Sequence, residues 1–317
     1  MKSQARLLSI FLGITLCLAL IGCGSSLSKQ QFTLATGSKS GVYYPIGEAL
    51  DQILKQAYSD KSFSIVETAG SIENIRMLKD GKADLALVQN DISYYAANGE
   101  AMFAGEKITG LSGIATLFPE IVQIIVRKET GIASLADLEG KKIAVGNKNS
   151  GTFYNAQQIL SIAQIWSKID QQYVGAAEAM QLITEGKIDG FIFTSGLPNP
   201  SIIELAKKVE ISLLPIEPDL VQKLVSEYSF YFPSTIPANQ YPGQTAELSG
   251  VEINAILISG PSLSENDQYL LTKALFGTPN DLGKSHPRLS KMTKTSLRQQ
   301  MPIQLGKGAY RAHSEIP

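Results

Sequence analysis

Apolar residues fall into short runs that alternate with stretches of helical period, and the whole alternation occurs twice. Residues 32–35 and 142–145 read as strands that run into Ser/Gly loops and then into helices over 44–56 and 153–164. Second strands follow at 63–68 and 171–174, short helices at 72–79 and 177–184, and third strands at 85–88 and 190–193 that are apolar throughout. Strands that alternate with helices and carry near-continuous apolar runs predict a parallel sheet covered on both faces. Right-handed crossovers place the strand-to-helix loops at the carboxyl edge of such a sheet, where these folds bind ligands.

The two halves are also similar in detail. Residues 34–44 align with 144–154 at an offset of 110, repeating Ser-Gly and a final Tyr. Residues 69–84 align with 174–189 at an offset of 105, repeating Gly, Glu, Gly-Lys and Asp. Beyond Pro198 a helix over 202–209 and a strand over 211–214 are predicted, and then Pro215, Pro218, Pro233, Pro237 and Pro242 suggest an extended strap. A last strand over 253–258 precedes a capping box at Ser264 and Asp267 and a helix over 269–276, which should pack on the first half. The fold class expected is a two-lobed α/β protein, each lobe a mostly parallel sheet with helices on both faces and a ligand cleft between lobes. Lobe 1 is assigned 32–126 plus 236–317, and lobe 2 is assigned 127–235.

The repeat also proposes a site. Gly37, Ser38, Ser40, Gly41, Val42 and Tyr43 in one lobe, and Ser150, Gly151, Thr152 and Phe153 in the other, lead into helix N-termini. Unpaired backbone N–H groups and the positive end of the helix dipole make such loops anion sites without an arginine; the alternative is that the Ser-Gly pairs only cap helices. Gln89, Asn90, Thr194 and Gly196 follow the third strands and complete the candidate set, Gln89 being able to donate and accept at once. Asn90 and Asp91 read equally well as the cap of a helix over 92–98.

Charge and composition narrow the function. Lys2 and Arg6 precede an apolar run over 7–21 that is short for a membrane span and ends in Leu20-Ile21-Gly22-Cys23. This end resembles the lipobox of bacterial lipoproteins, which implies a signal peptide over 1–22, acylation of Cys23, a tether over 23–31, and attachment to a bacterial membrane outside the cytoplasm. The remaining chain has 26 Lys and Arg against 29 acids and no basic stripe, so no nucleic-acid partner is expected. Without further cysteine after Cys23 there is no disulfide or thiol nucleophile, and His286 and His313, read as exposed, lack a second ligand at metal spacing. No G-x-S-x-G elbow occurs, and Gly306-Lys307-Gly308 fails as a dinucleotide loop. No catalytic residue, metal or cofactor is assigned.

The 35–45 loop, Gly81-Lys82-Ala83-Asp84, Gln89-Asn90-Asp91, Ser150-Gly151-Thr152, residues 193–199, Thr235-Ile236-Pro237 and residues 241–244 together resemble the TAXI family, solute receptors of TRAP transporters. The resemblance spans about 32–305. It implies a type II periplasmic-binding-protein fold with two crossing segments, a TRAP membrane permease as partner, and glutamate, glutamine or a dicarboxylate such as 2-oxoglutarate as ligand, held by a monomer. Lys39 and Asn149 depart from the family pattern, and Lys39 either meets a second ligand carboxylate or points to solvent. The alternative is a sensory protein that signals to a membrane histidine kinase.

Overall fold

The computed structural model describes residues 27–277 and 282–316. The signal segment 1–22 and Cys23 lie outside the described residues. In lobe 1, β1 (Gln31–Ala35), β2 (Ser62–Val66) and β3 (Leu85–Gln89) pair in parallel in the order β2-β1-β3. In lobe 2, β5 (Lys142–Ala144), β6 (Asp170–Gln172) and β7 (Gly190–Ser195) pair in parallel in the order β7-β5-β6. Two long antiparallel strands, β4 (Ser112–Arg127) and β10 (Leu248–Ser259), run through both lobes and join these ladders. The far half of β4 pairs with β7 and β8 (Ile211–Leu214), while β10 pairs with β3 at one end and with β9 (Phe232–Ile236) at the other.

Helices cover both faces, as the apolar strands require. α1 (Tyr43–Ala57), α2 (Ser71–Lys79) and α3 (Asn90–Asn98) belong to lobe 1. α4 (Gly151–Ile162), α5 (Ala176–Thr184), α6 (Pro200–Ala206) and α7 (Pro218–Glu227) belong to lobe 2. α8 (Glu265–Phe276), α9 (Leu282–Ser285) and α10 (Lys307–Glu315) return to lobe 1. Phe32, Leu50, Leu271 and Phe276 pack on one face of the lobe 1 sheet, and Ile75, Val88, Phe103 and Ile258 pack on the other. Ile143, Ile159 and Leu224, and separately Ile183, Phe191 and Ile202, do the same in lobe 2. Ser264 caps α8, its Oγ accepting from the N–H of Asp267 at 3.0 Å.

The structure corrects several expectations. The strap over 215–242 is extended only in part: Pro218 opens α7 at a first-turn position, where the missing N–H has no helix partner anyway, and Pro233 sits in β9, a strand that pairs on one side only. Val122, Ile124 and Val126 lie in a lobe 2 core together with Val251 and Ile253, so the cores divide near 119–121 and near 254 rather than at 126 and 236. The inner part of the expected tether is fixed: Leu27 is buried in the lobe 1 core, and Ser28 donates through N and Oγ to the Asp267 carboxylate at 2.8 and 2.6 Å. His313 is not exposed but fully buried, its Nε2 2.6 Å from the carbonyl of Ile114. Among the described residues no helix is long and apolar enough to cross a membrane.

Candidate functional site

A cleft between the lobes collects most of the loops singled out by the repeat. On the lobe 1 side β1 is followed by Thr36, whose Oγ1 donates to the Val66 carbonyl at 2.7 Å, and the chain turns through Gly37, Ser38, Gly41 and Val42 into α1. The N–H of Gly41 closes this turn on the carbonyl of Ser38 at 2.9 Å. Buried Asn74 holds the strand ends in place by donating to the carbonyls of Thr36 and Leu87 at 2.5 and 2.7 Å. Gly70, with φ at 124°, delivers the chain into α2 at Ser71, a backbone conformation that favours glycine. On the lobe 2 side Ser150 caps α4 by accepting from the N–H of Phe153 at 3.1 Å, and Gly151 and Thr152 form the first turn. Thr152 Oγ1 accepts from the N–H of Thr194 at 3.2 Å, which ties this loop to the end of β7.

Three helix N-termini therefore converge on one cavity of about 70 Å³. α2 and α4 face each other so closely that a Cβ on Gly70 would lie 3.5 Å from the Cβ of Ser150. Like ends of two helix dipoles across a narrow gap repel, and an anion placed between them removes that cost. The lobes are held together around the cavity. Asn149 accepts from the N–H of Glu73 at 3.1 Å and from Arg76 Nη1 at 3.0 Å. Asn155 donates to Asp91 at 3.1 Å, and Arg288 donates to the carbonyl of Leu197 at 2.9 Å. A roomier depression of about 340 Å³ lies on the outside of lobe 2 near Ser212 and Gly243, but it has no opposing wall from lobe 1.

Of the residues expected from sequence, Gly37, Ser38, Gly41, Val42, Tyr43, Gln89, Ser150, Gly151, Thr152 and Thr194 line the cavity. Four do not. Ser40 bonds Ser38 through its Oγ at 2.7 Å, Asn90 Oδ1 accepts from its neighbour Asp91 at 3.0 Å, and Gly196 is covered by the guanidinium of Arg288. Phe153 packs edge-on against Trp166 and Tyr173, away from the cleft. Tyr43 is also more than a lining residue: it is buried in the lobe 1 core, edge-on to Phe118. Lys39 turns outward, over the ring of Tyr44 and beside exposed Glu67.

Sequence reading missed Ser71, Phe193, Ser195 and above all Glu120, all of which line the cavity. Glu120 lies in β4 at 2% exposure, and its Oε2 accepts from the Tyr43 hydroxyl at 2.6 Å. Burial pushes its carboxyl up to about 8, against the pull of the Tyr43 hydrogen bond and the Arg288 charge. Burial likewise pushes Asp91 up to about 7, although the N–H of Ile92 and the amide of Asn155 favour its charged form. Tyr43 is held well above its ordinary value, first by burial and then by Glu120. The available signal for Glu120 was a lone acid inside the largely apolar stretch 114–126. Among the described residues no group of His, Cys, Asp and Glu is placed to hold a metal.

Residues 34–316 match the model of the NMT1-like family. Among solved structures, a protein from Bordetella bronchiseptica RB50 is 18% identical with a TM-score of 0.53, covering 92% of this chain and 83% of that one. The alkanesulfonate-binding protein SsuA from Xanthomonas axonopodis pv. citri bound to MOPS is 17% identical with a TM-score of 0.52, covering 92% and 86%. A binding protein component of an ABC phosphonate transporter from Pseudomonas aeruginosa is 13% identical with a TM-score of 0.51, covering 82% and 79%. At these identities the likeness is one of fold, the two-lobed type II periplasmic-binding-protein fold with crossing strands.

Proposed function

The chain belongs to the NMT1-like family, and we propose that it is an extracytoplasmic solute-binding receptor that closes two lobes on a small anionic ligand and hands it to a membrane permease. The observation that carries this reading is the convergence of three helix N-termini, from both lobes, on one cleft cavity that no lysine or arginine lines. Such a cavity neutralises an anion with backbone dipoles and leaves charged side chains free for other work. The ligand class is a small carboxylate, and the partner is a TRAP-type permease on the strength of the motifs in the cleft loops. An ABC importer is the second reading, favoured by the likeness in fold to the binding protein component of an ABC phosphonate transporter. The receptor transfers its ligand unchanged, and Cys23 carries the acyl chains that keep it at the membrane.

Two measurements test this. In a thermal screen a carboxylate should raise the melting temperature, because a ligand that binds only the folded state at a hundredfold excess over Kd stabilises by about 2.7 kcal/mol. A screen in which only sulfonates or phosphonates stabilise would replace the ligand class, and one in which only sugars or metal cations do would remove the anion seat. Cys23→Ser should release the protein into the aqueous phase on detergent partitioning, or leave it unprocessed. A variant that partitions like wild type would refute the anchor.

A further inference from the structure

Among the residues that line the cavity Glu120 is the only acid, set among helix N-termini and the hydroxyls of Ser38, Ser71 and Ser150. It has no cationic partner among the described residues, because Arg288, whose charge it feels, is turned to the carbonyls of Leu197 and Pro198. A carboxyl at 2% exposure without a cation is more stable neutral, since an unpaired buried charge is costly. The Tyr43 hydroxyl decides which oxygen holds the proton. It donates to Oε2 at 2.6 Å, so the proton of Glu120 stands on Oε1. The protein offers no acceptor there. Asp91 uses its oxygens on the N–H of Ile92 at 2.7 Å and the amide of Asn155 at 3.1 Å. The Gln89 oxygen is turned to the first turn of α4, where a Cβ on Gly151 would lie 1.8 Å from it. Oε1–H is a donor that only an occupant of the cavity can satisfy.

Resting on the receptor reading above, we infer that Glu120 meets the ligand as a neutral acid whose Oε1–H donates to one of the ligand's anionic oxygens. The helix N-termini take the remaining oxygens, so the anion is held by donors alone. An ionised Glu120 would instead set a charge of the ligand's own sign beside it. Ligand and proton are therefore held together.

The groups facing Glu120 are Tyr43 from α1, Asp91 from the start of α3 and Arg288 from the C-terminal segment, and β10 sets Ile253 opposite it. Burial holds the carboxyl up to about 8 in the empty site. An anion beside it raises that value further, which fixes the sign of the linkage. Below 8 the proton is already in place and affinity is flat; above 8 binding takes up a proton from solvent, and affinity falls by up to about tenfold per pH unit. Asp91, held up to about 7, titrates earlier and remains when Glu120 is replaced.

The test is calorimetry at pH 7 and pH 9, in buffers of different ionisation enthalpy. The probes are L-glutamate, 2-oxoglutarate, succinate and ethanesulfonate, whose own titrations lie outside that range. The probe that binds should bind about tenfold more weakly at pH 9 and take up close to one proton there. Glu120→Gln places an N–H donor at the same point without a titrating proton, so it should remove most of both effects and bind more tightly than wild type at pH 9. Glu120→Ala should weaken binding about tenfold at pH 7, a loss that the Gln side chain makes good. Proton release on binding, affinity that rises with pH, or a pH dependence unchanged in Glu120→Gln would overturn the inference while leaving the receptor intact. Difference infrared spectra of the ligand-free protein at pH 7, wild type against Glu120→Gln, should show the C=O band of a protonated carboxyl, and its absence would overturn the inference whatever binds. If the band is present and none of the four probes binds, the anion seat itself is wrong and the inference falls with it.

Discussion

Gly151→Val is expected to abolish ligand-induced stabilisation while leaving the ligand-free protein cooperative and close to wild type in stability. Gly151 is the first residue of α4 with ordinary helical backbone, so a β-branched side chain there strains neither the helix nor lobe 2. The conflict lies across the cleft. A Cβ at this position would overlap the Gln89 amide of lobe 1, and the two methyl groups would occupy the cavity of about 70 Å³. The lobes relieve the clash by staying apart, a state the apo receptor must visit to admit its ligand. The ligand then loses one of its two walls, and a shift of roughly 5–10 °C at a hundredfold excess over Kd should vanish. Differential scanning fluorimetry with a ligand identified for the wild type reads this directly. A variant that keeps the shift would move the site away from this cleft.

The melting temperature of the ligand-free protein should fall as pH rises from 5 to 8. The folded protein holds Asp91 up to about 7 and Glu120 up to about 8, above ordinary values of 3.8 and 4.5. Between those limits the folded state keeps protons that the unfolded chain has lost, so each group's contribution is complete below its ordinary value and disappears as pH passes its folded value. The slope is at most about 1.4 kcal/mol per pH unit for each group. Asp80, Glu106, Asp137, Glu185 and Glu315 are shifted downward by hydrogen bonds to lysines, backbone or neighbouring side chains, and they titrate at lower pH. Glu120→Gln should flatten the slope and raise the melting temperature at pH 8, since it keeps an acceptor for the Tyr43 hydroxyl and removes a charge from a dry site. Calorimetric scans across this window that are flat, or that rise with pH, would contradict the burial described for these two carboxyls.

Much of the repeated βα framework was legible because strands buried on both faces must be apolar throughout. β3 was expected over 85–88 and found as Leu85–Gln89, and α2 was expected over 72–79 and found as Ser71–Lys79. The crossing strand β4 was not legible. Its apolar run is interrupted by Pro119, Glu120 and Gln123, and it changes neighbours halfway, so neither a period of two nor a uniform run describes it. Glu120 was lost with it, because its meaning comes from Tyr43 and Gln89, which are brought beside it only by the sheet. Phe153 shows a subtler limit. It aligns with Tyr43 in the repeat, but α1 starts at Tyr43 and α4 starts two residues earlier than Phe153. Two residues turn a helix by roughly 200°, so the aligned rings leave their helices on opposite faces.

The pairing of β4 with β10 bears on how the receptor opens. Their register shifts between Ala255 and Ile256, opposite Thr116 and Phe118, and Pro119 stands opposite Asn254. A ribbon of two antiparallel strands resists in-plane shear, which would break its whole ladder at once, and yields by flexing out of its plane where the ladder is already interrupted. The ladder is interrupted a second time between Leu257 and Ile258, opposite Ala115 and Gly113, so an opening of the lobes would turn about an axis close to residues 113–119 and 254–258. Asp91 and Asn155 meet close to that line, where Asn90 accepts from the N–H of Asn254 at 3.3 Å, so their bond would be the last to part. Arg76 and Asn149 join the lobes at an exposed bond, which such an opening would have to break.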